Sequence, residues 1–219
     1  MKILIVAAHA DDEVLGCGGT IKRLTNEGHE ARTLILGDGV SSRDDYNKEE
    51  INIRAEQSMK ANDLIGINFL WSYGLPDNKF DSIPLLDIVK IISGVIEKYK
   101  PDIIFTHYQN DLNIDHRRTF EAVITAARPM NGETVKTIYS FEVASSTEWN
   151  FPLSFSPDTY FDISGTIDSK LKAMSIYKNE LKDYPHPRSL AAMKIQAEMW
   201  GIRTGLQAAE AFVTIRNLQ

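Results

Sequence analysis

The chain has 219 residues, 43% of them hydrophobic and 25% charged, with a formal net charge of -6. This is the composition of an ordinary globular protein, neither fibrous nor disordered. Its acidic balance excludes the broad basic surface that non-specific binding to nucleic acid or an anionic membrane requires, and a single cysteine, Cys17, excludes an internal disulfide and a cysteine-built zinc knuckle.

No linker or low-complexity run divides the chain, so one domain over residues 1–219 is expected. Ahead of the first acids stand Lys2 and six apolar residues, too few for the core of a signal peptide. No apolar run approaches a membrane span, and a cytoplasmic location is expected.

Apolar runs at residues 3–8, 32–36, 67–70 and 102–106 read as strands, and they alternate with amphipathic helices predicted over 13–27, 48–63, 85–99 and 116–128. Leu85, Ile88, Val89, Ile92, Val95 and Ile96 fall on one helical stripe, and Pro84 and Pro101 stand where that helix starts and the next strand is entered. Beyond Thr134 the rhythm changes to strands at 136–141 and 159–163, helices at 166–181 and 189–203, and a last strand at 212–215. The fold class is therefore α/β: a Rossmann-like three-layer sandwich around a mostly parallel sheet, with additional strands and helices in the C-terminal third. The loops at 142–157 and 184–188 are long enough to shape a substrate pocket. Trp71, Tyr73 and Trp149 fall in predicted loops, where they would stack on a sugar or base ring or pin the loop.

Chemistry concentrates at two strand ends. The first strand runs into His9-Ala10-Asp11-Asp12-Glu13 and a glycine-rich helix start, Gly16-Cys17-Gly18-Gly19. With a helix beginning near Asp11, His9 and Asp12 converge on one point while Asp11 points elsewhere. Imidazole nitrogen and carboxylate oxygen are the donors that zinc or ferrous iron accepts without cysteine. A capped helix start would explain one or two of the acids, but not His9 beside them. The second concentration, residues 106–118, follows the fourth strand and holds His107, Asp111, Asn113, Asp115, His116, Arg117 and Arg118. With strand order 3-2-1-4-5 the two motifs flank the topological switch point, where open α/β sheets bind ligands. His116 then supplies a third ligand, and Asp115 accepts a hydrogen bond that fixes an imidazole tautomer.

These motifs resemble the PIG-L/LmbE-like de-N-acetylases, marked by Ala-His-x-Asp-Asp-Glu after the first strand and an Asp-His pair before a later helix. The resemblance spans most of the chain. It implies that His9, Asp12 and His116 hold a zinc ion, or iron in the cell, that Asp11 is the general base on the metal's water, and that the tetrahedral oxyanion forms against the metal. It also implies a metal-dependent amidase acting on a linear C–N bond, a small N-acetylated amino sugar as substrate, and a homo-oligomer. Many members carry a histidine three positions before the last ligand, where this chain has Asn113; either Asn113 acts only electrostatically, or His107 or His186 supplies an imidazole. Arg54 matches an arginine that the family directs to substrate, and Arg188 and Trp149 are further substrate-binding candidates. Arg117 and Arg118 could also meet an anion, although a surface role suits most such arginines.

Two other readings compete. A nucleotide-binding Rossmann domain without hydrolysis would use Gly16, Gly18 and Gly19, but Asp11, Asp12 and Glu13 in the first turn would repel a pyrophosphate. A metal-binding protein without catalysis leaves Asp11 with no role.

Overall fold

The first strand is apolar on both faces because it is buried on both faces. Ile3 and Ile5 enter one core and Leu4 and Val6 the other, and all four are fully buried. The computed structural model describes residues 1–43, 46–130 and 132–218. In chain order the elements are β1 (Lys2–Ala7), α1 (Asp12–Asn26), β2 (Glu30–Gly37), α2 (Lys48–Leu64), β3 (Leu70–Leu75), α3 (Leu85–Tyr99), β4 (Ile103–His107), α4 (Ile114–Ala126), β5 (Thr137–Phe141), β6 (Thr159–Asp162), α5 (Ile167–Met174), α6 (Leu190–Thr204) and β7 (Ala209–Asn217).

The seven strands form one sheet in the order β3-β2-β1-β4-β5-β7-β6. β1 to β5 are mutually parallel, and β7 runs antiparallel to both of its neighbours. One face is covered by residues of α1, α2, α5 and α6, the other by α3 and α4. This is the three-layer α/β architecture expected, with the inner strand order 3-2-1-4-5. Because β1 pairs with β4 in the register Ile3↔Ile103 to Val6↔Thr106, the two motif-bearing strand ends lie side by side. Among the described residues no helix is long and apolar enough to cross a membrane.

Two expectations shift. β3 runs from Leu70 to Leu75, so residues 67–69 precede the strand and it extends beyond the expected end at 70. The apolar Ile67 instead closes the end of α2: Gly66, with φ +88°, and Ile67 donate to Asp63 and Asn62 carbonyls, and Ile65 and Ile67 enter the core. Trp71 and Tyr73 are consequently strand residues rather than loop residues, and Trp71 packs edge-on to Phe69 and Tyr99. The helix predicted over 166–181 ends at Met174; the chain then turns through Tyr177 N–H to Met174 O and Glu180 N–H to Tyr177 O, which brings Tyr177 and Glu180 to the site.

The glycine-rich run is not a phosphate loop. Gly16, Gly18 and Gly19 lie inside α1, where a Cβ on Gly16 would stand 2.2 Å from the Phe141 ring and one on Gly19 2.9 Å from Ile163. Gly16 and Gly19 are small because neighbouring elements approach closely.

Candidate active site

Between β1 and α1 the backbone turns sharply at Asp11, whose φ of 115° is one that L side chains rarely adopt. The turn is held by its own acids. His9 N–H donates to Asp12 Oδ2 at 2.8 Å, and Asp11 N–H donates to Glu13 Oε2 at 2.9 Å. Glu13 points inward, where its other oxygen accepts from Tyr177 Oη at 2.6 Å and Asn62 Nδ2 at 3.0 Å. Burial raises Glu13 to about 7 against those hydrogen bonds. Of the three acids in the motif, Glu13 is thus committed to the fold.

His9, Asp12 and His116 each present one donor atom within 4.8 Å of the others, and all three residues are buried. Asp12 Oδ2 lies 3.4 Å from both His9 Nδ1 and His116 Nε2. The far nitrogen of each ring meets a carboxylate: His9 Nε2 is 2.9 Å from Asp115 and 3.1 Å from Asp77, and His116 Nδ1 is 3.1 Å from Asp111. These outer carboxylates are fixed in turn. Asp115 accepts from the N–H groups of Asn78 and Phe80, and Asp111 from Asn113 N–H and the hydroxyls of Ser146 and Thr147.

The electrostatics call for a cation at this point. Burial opposes charge on His116, yet Asp12 and Asp111 outweigh it and raise the ring to about 9; Asp115, Asp12 and Asp77 likewise raise His9 against burial. Asp12 is itself held low by His116, and by the hydrogen bond to His9, despite its burial. A divalent ion would take the place of the ring protons. Asp12 Oδ1 is buried with no hydrogen-bond partner among the described residues, an acceptor waiting for a positive charge. The donor set therefore fits a zinc-class ion.

Asp11 sits beside this cluster but faces away from its centre, 3.3 Å from Arg54 Nη2 and 3.2 Å from Arg188 Nη1. Burial pushes its carboxyl up while the two guanidinium groups pull it back. Glu180 shares both arginines and adds Arg43, at 2.8–3.3 Å.

The remaining candidates separate by position. His107 is fully buried behind the cluster, its ring stacked 4.0 Å from His116, and its Nε2 accepts Ala8 N–H at 2.8 Å. Burial, reinforced by His116, lowers it to about 3, which keeps the ring neutral. Asn113 caps α4, accepting Asp115 N–H at 2.8 Å, and its amide donates to Asn78. His186 accepts Arg188 N–H on Nδ1 and meets Trp149 edge-on at 5.6 Å between ring centres, which places Trp149 on the same rim as Arg188. Arg117 is occupied by the Asp111 and Leu112 carbonyls and Arg118 by Glu121.

Asp77, Tyr177 and Glu180 were not anticipated, and Asp111 was named in the second motif without a role. Asp77 follows β3 at the same edge of the sheet as the two motifs, a positional signal that a correctly placed third strand would have given. Asp111 lies within the second motif. Nothing in sequence marks Tyr177 or Glu180.

Comparison with known proteins gives the chain's family and its relatives. The family described as PIG-L, GlcNAc-PI de-N-acetylase, matches residues 4–127. The chain is 27% identical over 185 residues, 81% of its length and 83% of the relative's, to the probable N-acetyl-alpha-D-glucosaminyl L-malate deacetylase 2 of Bacillus cereus. In fold it resembles the N,N'-diacetylchitobiose deacetylase of Pyrococcus horikoshii, with TM-score 0.80, 22% identity, and 98% of this chain and 84% of that one covered. It also resembles GalB, the 4-carboxy-2-hydroxymuconate hydratase of Pseudomonas putida, with TM-score 0.75, 19% identity, and 98% and 95% covered, so the fold alone does not choose the reaction. With more than half of the chain matched, and both characteristic motifs inside the matched span, the protein belongs to the PIG-L family of GlcNAc-PI de-N-acetylases and is an amidase of the deacetylase class.

Proposed function

We propose that the chain removes the acetyl group from an N-acetylated amino sugar or sugar conjugate, using a zinc ion held by His9, Asp12 and His116. The observation that carries this reading is the convergence of those three buried side chains within 4.8 Å, next to a buried carboxylate, Asp11, that is not one of them. When bound, the ion supplies Lewis acidity, polarising the amide oxygen and acidifying water. Asp77, Asp111 and Asp115 orient the two imidazoles. Asp11, held by Arg54 and Arg188, accepts the proton of the attacking water and returns it to the departing amine, which dispenses with a separate histidine acid. Arg54 and Arg188 meet the sugar's oxygens, and Trp149 flanks its ring at the rim.

The test is metal content and acetate release for wild type, Asp11→Asn, Asp12→Ala and His116→Ala with N-acetylglucosamine conjugates. Asp11→Asn is expected to keep about one equivalent of zinc and lose roughly 10²- to 10⁴-fold in kcat. Asp12→Ala and His116→Ala are expected to lose the metal. An active Asp11→Asn enzyme would end this mechanism.

A further inference from the structure

Beside the proposed metal ligands, four charged groups close into a ring. Arg54 Nη2 lies 3.3 Å from Asp11 Oδ2 and its Nη1 2.8 Å from Glu180 Oε1. Arg188 Nη1 donates to Asp11 Oδ2 at 3.2 Å and to Glu180 Oε2 at 3.3 Å. Carboxylate and guanidinium therefore alternate, two of each, and their charges cancel. Asp11 and Arg54 are buried and Glu180 and Arg188 half-buried, so little water screens the four.

Glu180 reaches the ring from the turn that follows α5, where its N–H donates to Tyr177 O at 2.9 Å. The same turn seats Tyr177, whose ring centre is 5.1 Å from the Arg54 guanidinium. The Tyr177 hydroxyl donates to Glu13, the acid whose other oxygen accepts Asp11 N–H. One turn of chain, far in sequence from the first motif, thus bears on both the backbone and the carboxylate of Asp11. Although burial pushes the Glu180 carboxyl up, Arg54 and Arg188 hold it below its ordinary value, so a charged group sits between them.

Both arginines approach the same oxygen of Asp11, Oδ2, and among the described residues no hydrogen bond reaches Oδ1. A guanidinium facing a single carboxylate prefers to take both of its oxygens in a fork. Without Glu180, Asp11 would be the only carboxylate within ion-pair reach of Arg54 or Arg188 among the described residues, and the arginines could close on both of its oxygens. We propose that Glu180 is a positioning residue: by sharing both arginines it confines them to Asp11 Oδ2 and leaves Oδ1 for the proton of the attacking water. This rests on the deacetylase reading above, in which Asp11 is the base.

Glu180→Gln keeps the shape and withdraws the charge. It is expected to retain zinc, to change KM for N-acetylglucosamine conjugates far less than kcat, and to lower kcat about 10²-fold, the scale of a misplaced catalytic group. Glu180→Asp, which restores the charge, is expected to recover most of that loss. The ring is read without turnover in protein labelled with ¹⁵N at arginine, with the Nε signals of Arg54 and Arg188 assigned from their Lys variants. Both signals are expected to move in Glu180→Gln and also in Asp11→Asn, because each substitution opens the ring. Wild-type kcat in Glu180→Gln would overturn the proposal. So would a loss confined to KM, which would tie Glu180 to sugar binding alone. Equal losses in the Gln and Asp variants with both arginine signals unmoved would make Glu180 a residue of the fold only, and overturn it too. Arginine signals that move as expected, in a protein whose wild type releases no acetate from any N-acetylated sugar, would keep the ring and sink the deacetylase reading instead.

Discussion

At the scale of single residues, the site is two imidazoles whose near nitrogens converge and whose far nitrogens are each held by a carboxylate. Asp111 is the more informative of the holders, because it also ties His116 to the loop after β5 through Ser146 and Thr147, and Ser145 of that loop accepts from Arg188. One carboxylate thus connects the proposed metal ligand with the arginine on Asp11. Asp111→Asn keeps the shape but withdraws the negative charge facing Nδ1. The expected outcome is a 10- to 100-fold loss of zinc affinity with the fold intact, read by competition against a chelator. Unchanged affinity would reduce Asp111 to a loop anchor.

At the scale of elements, the first helix is clamped as well as packed. Lys170 of α5 donates to Leu15 O at 2.7 Å and pairs with Glu210 of β7 at 2.5 Å, while Glu210 accepts the N–H groups of Gly19 and Thr20 at 3.0 and 2.7 Å. The helix that presents Asp11 and Asp12 is therefore pinned mid-length by a buried ion pair from the C-terminal third. Glu210→Ala strands the Lys170 charge and is expected to cost about 3–5 kcal/mol in urea unfolding, whereas Glu210→Ala combined with Lys170→Met should recover much of that loss. Equal loss in single and double variants would argue against the pair as the cause. The sequence carries no sign of this clamp. His9, Asp12 and His116 were legible because their spacing from strand ends fixes their direction, and the alternation of α3 was legible from one apolar stripe. The run at residues 16–19 was not, since its glycines answer to Phe141 and Ile163, far away in the chain. Residues 67–70 misled for a related reason: an apolar residue that closes a helix looks in one dimension like one that opens a strand.

At the scale of the molecule, burial of carboxylates on both sides of the first helix links folding to pH. Glu142, at the end of β5, shares a small cavity with Lys170, Trp200 and Glu210, and its carboxylate accepts Trp200 Nε1 at 2.6 Å. Burial pushes it up to about 7 against the hydrogen bonds from Trp200 and Gln196, from the ordinary 4.5. The folded protein therefore holds a proton through the interval from about pH 5 to 7 that the unfolded chain releases. With more protons bound when folded, stability falls as pH rises through this window and levels off above it. Glu142→Gln retains an acceptor for the indole and has no charge to bury. Its stability relative to wild type is expected to rise by about 1–3 kcal/mol between pH 5 and pH 8, measured by urea unfolding at pH 5, 6.5 and 8. Glu13, raised to about 7 by the same burial, stays in both proteins and cancels from the difference. A difference that does not change with pH would mean that Glu142 is ionised in the folded protein throughout, with Lys170 supplying the compensation.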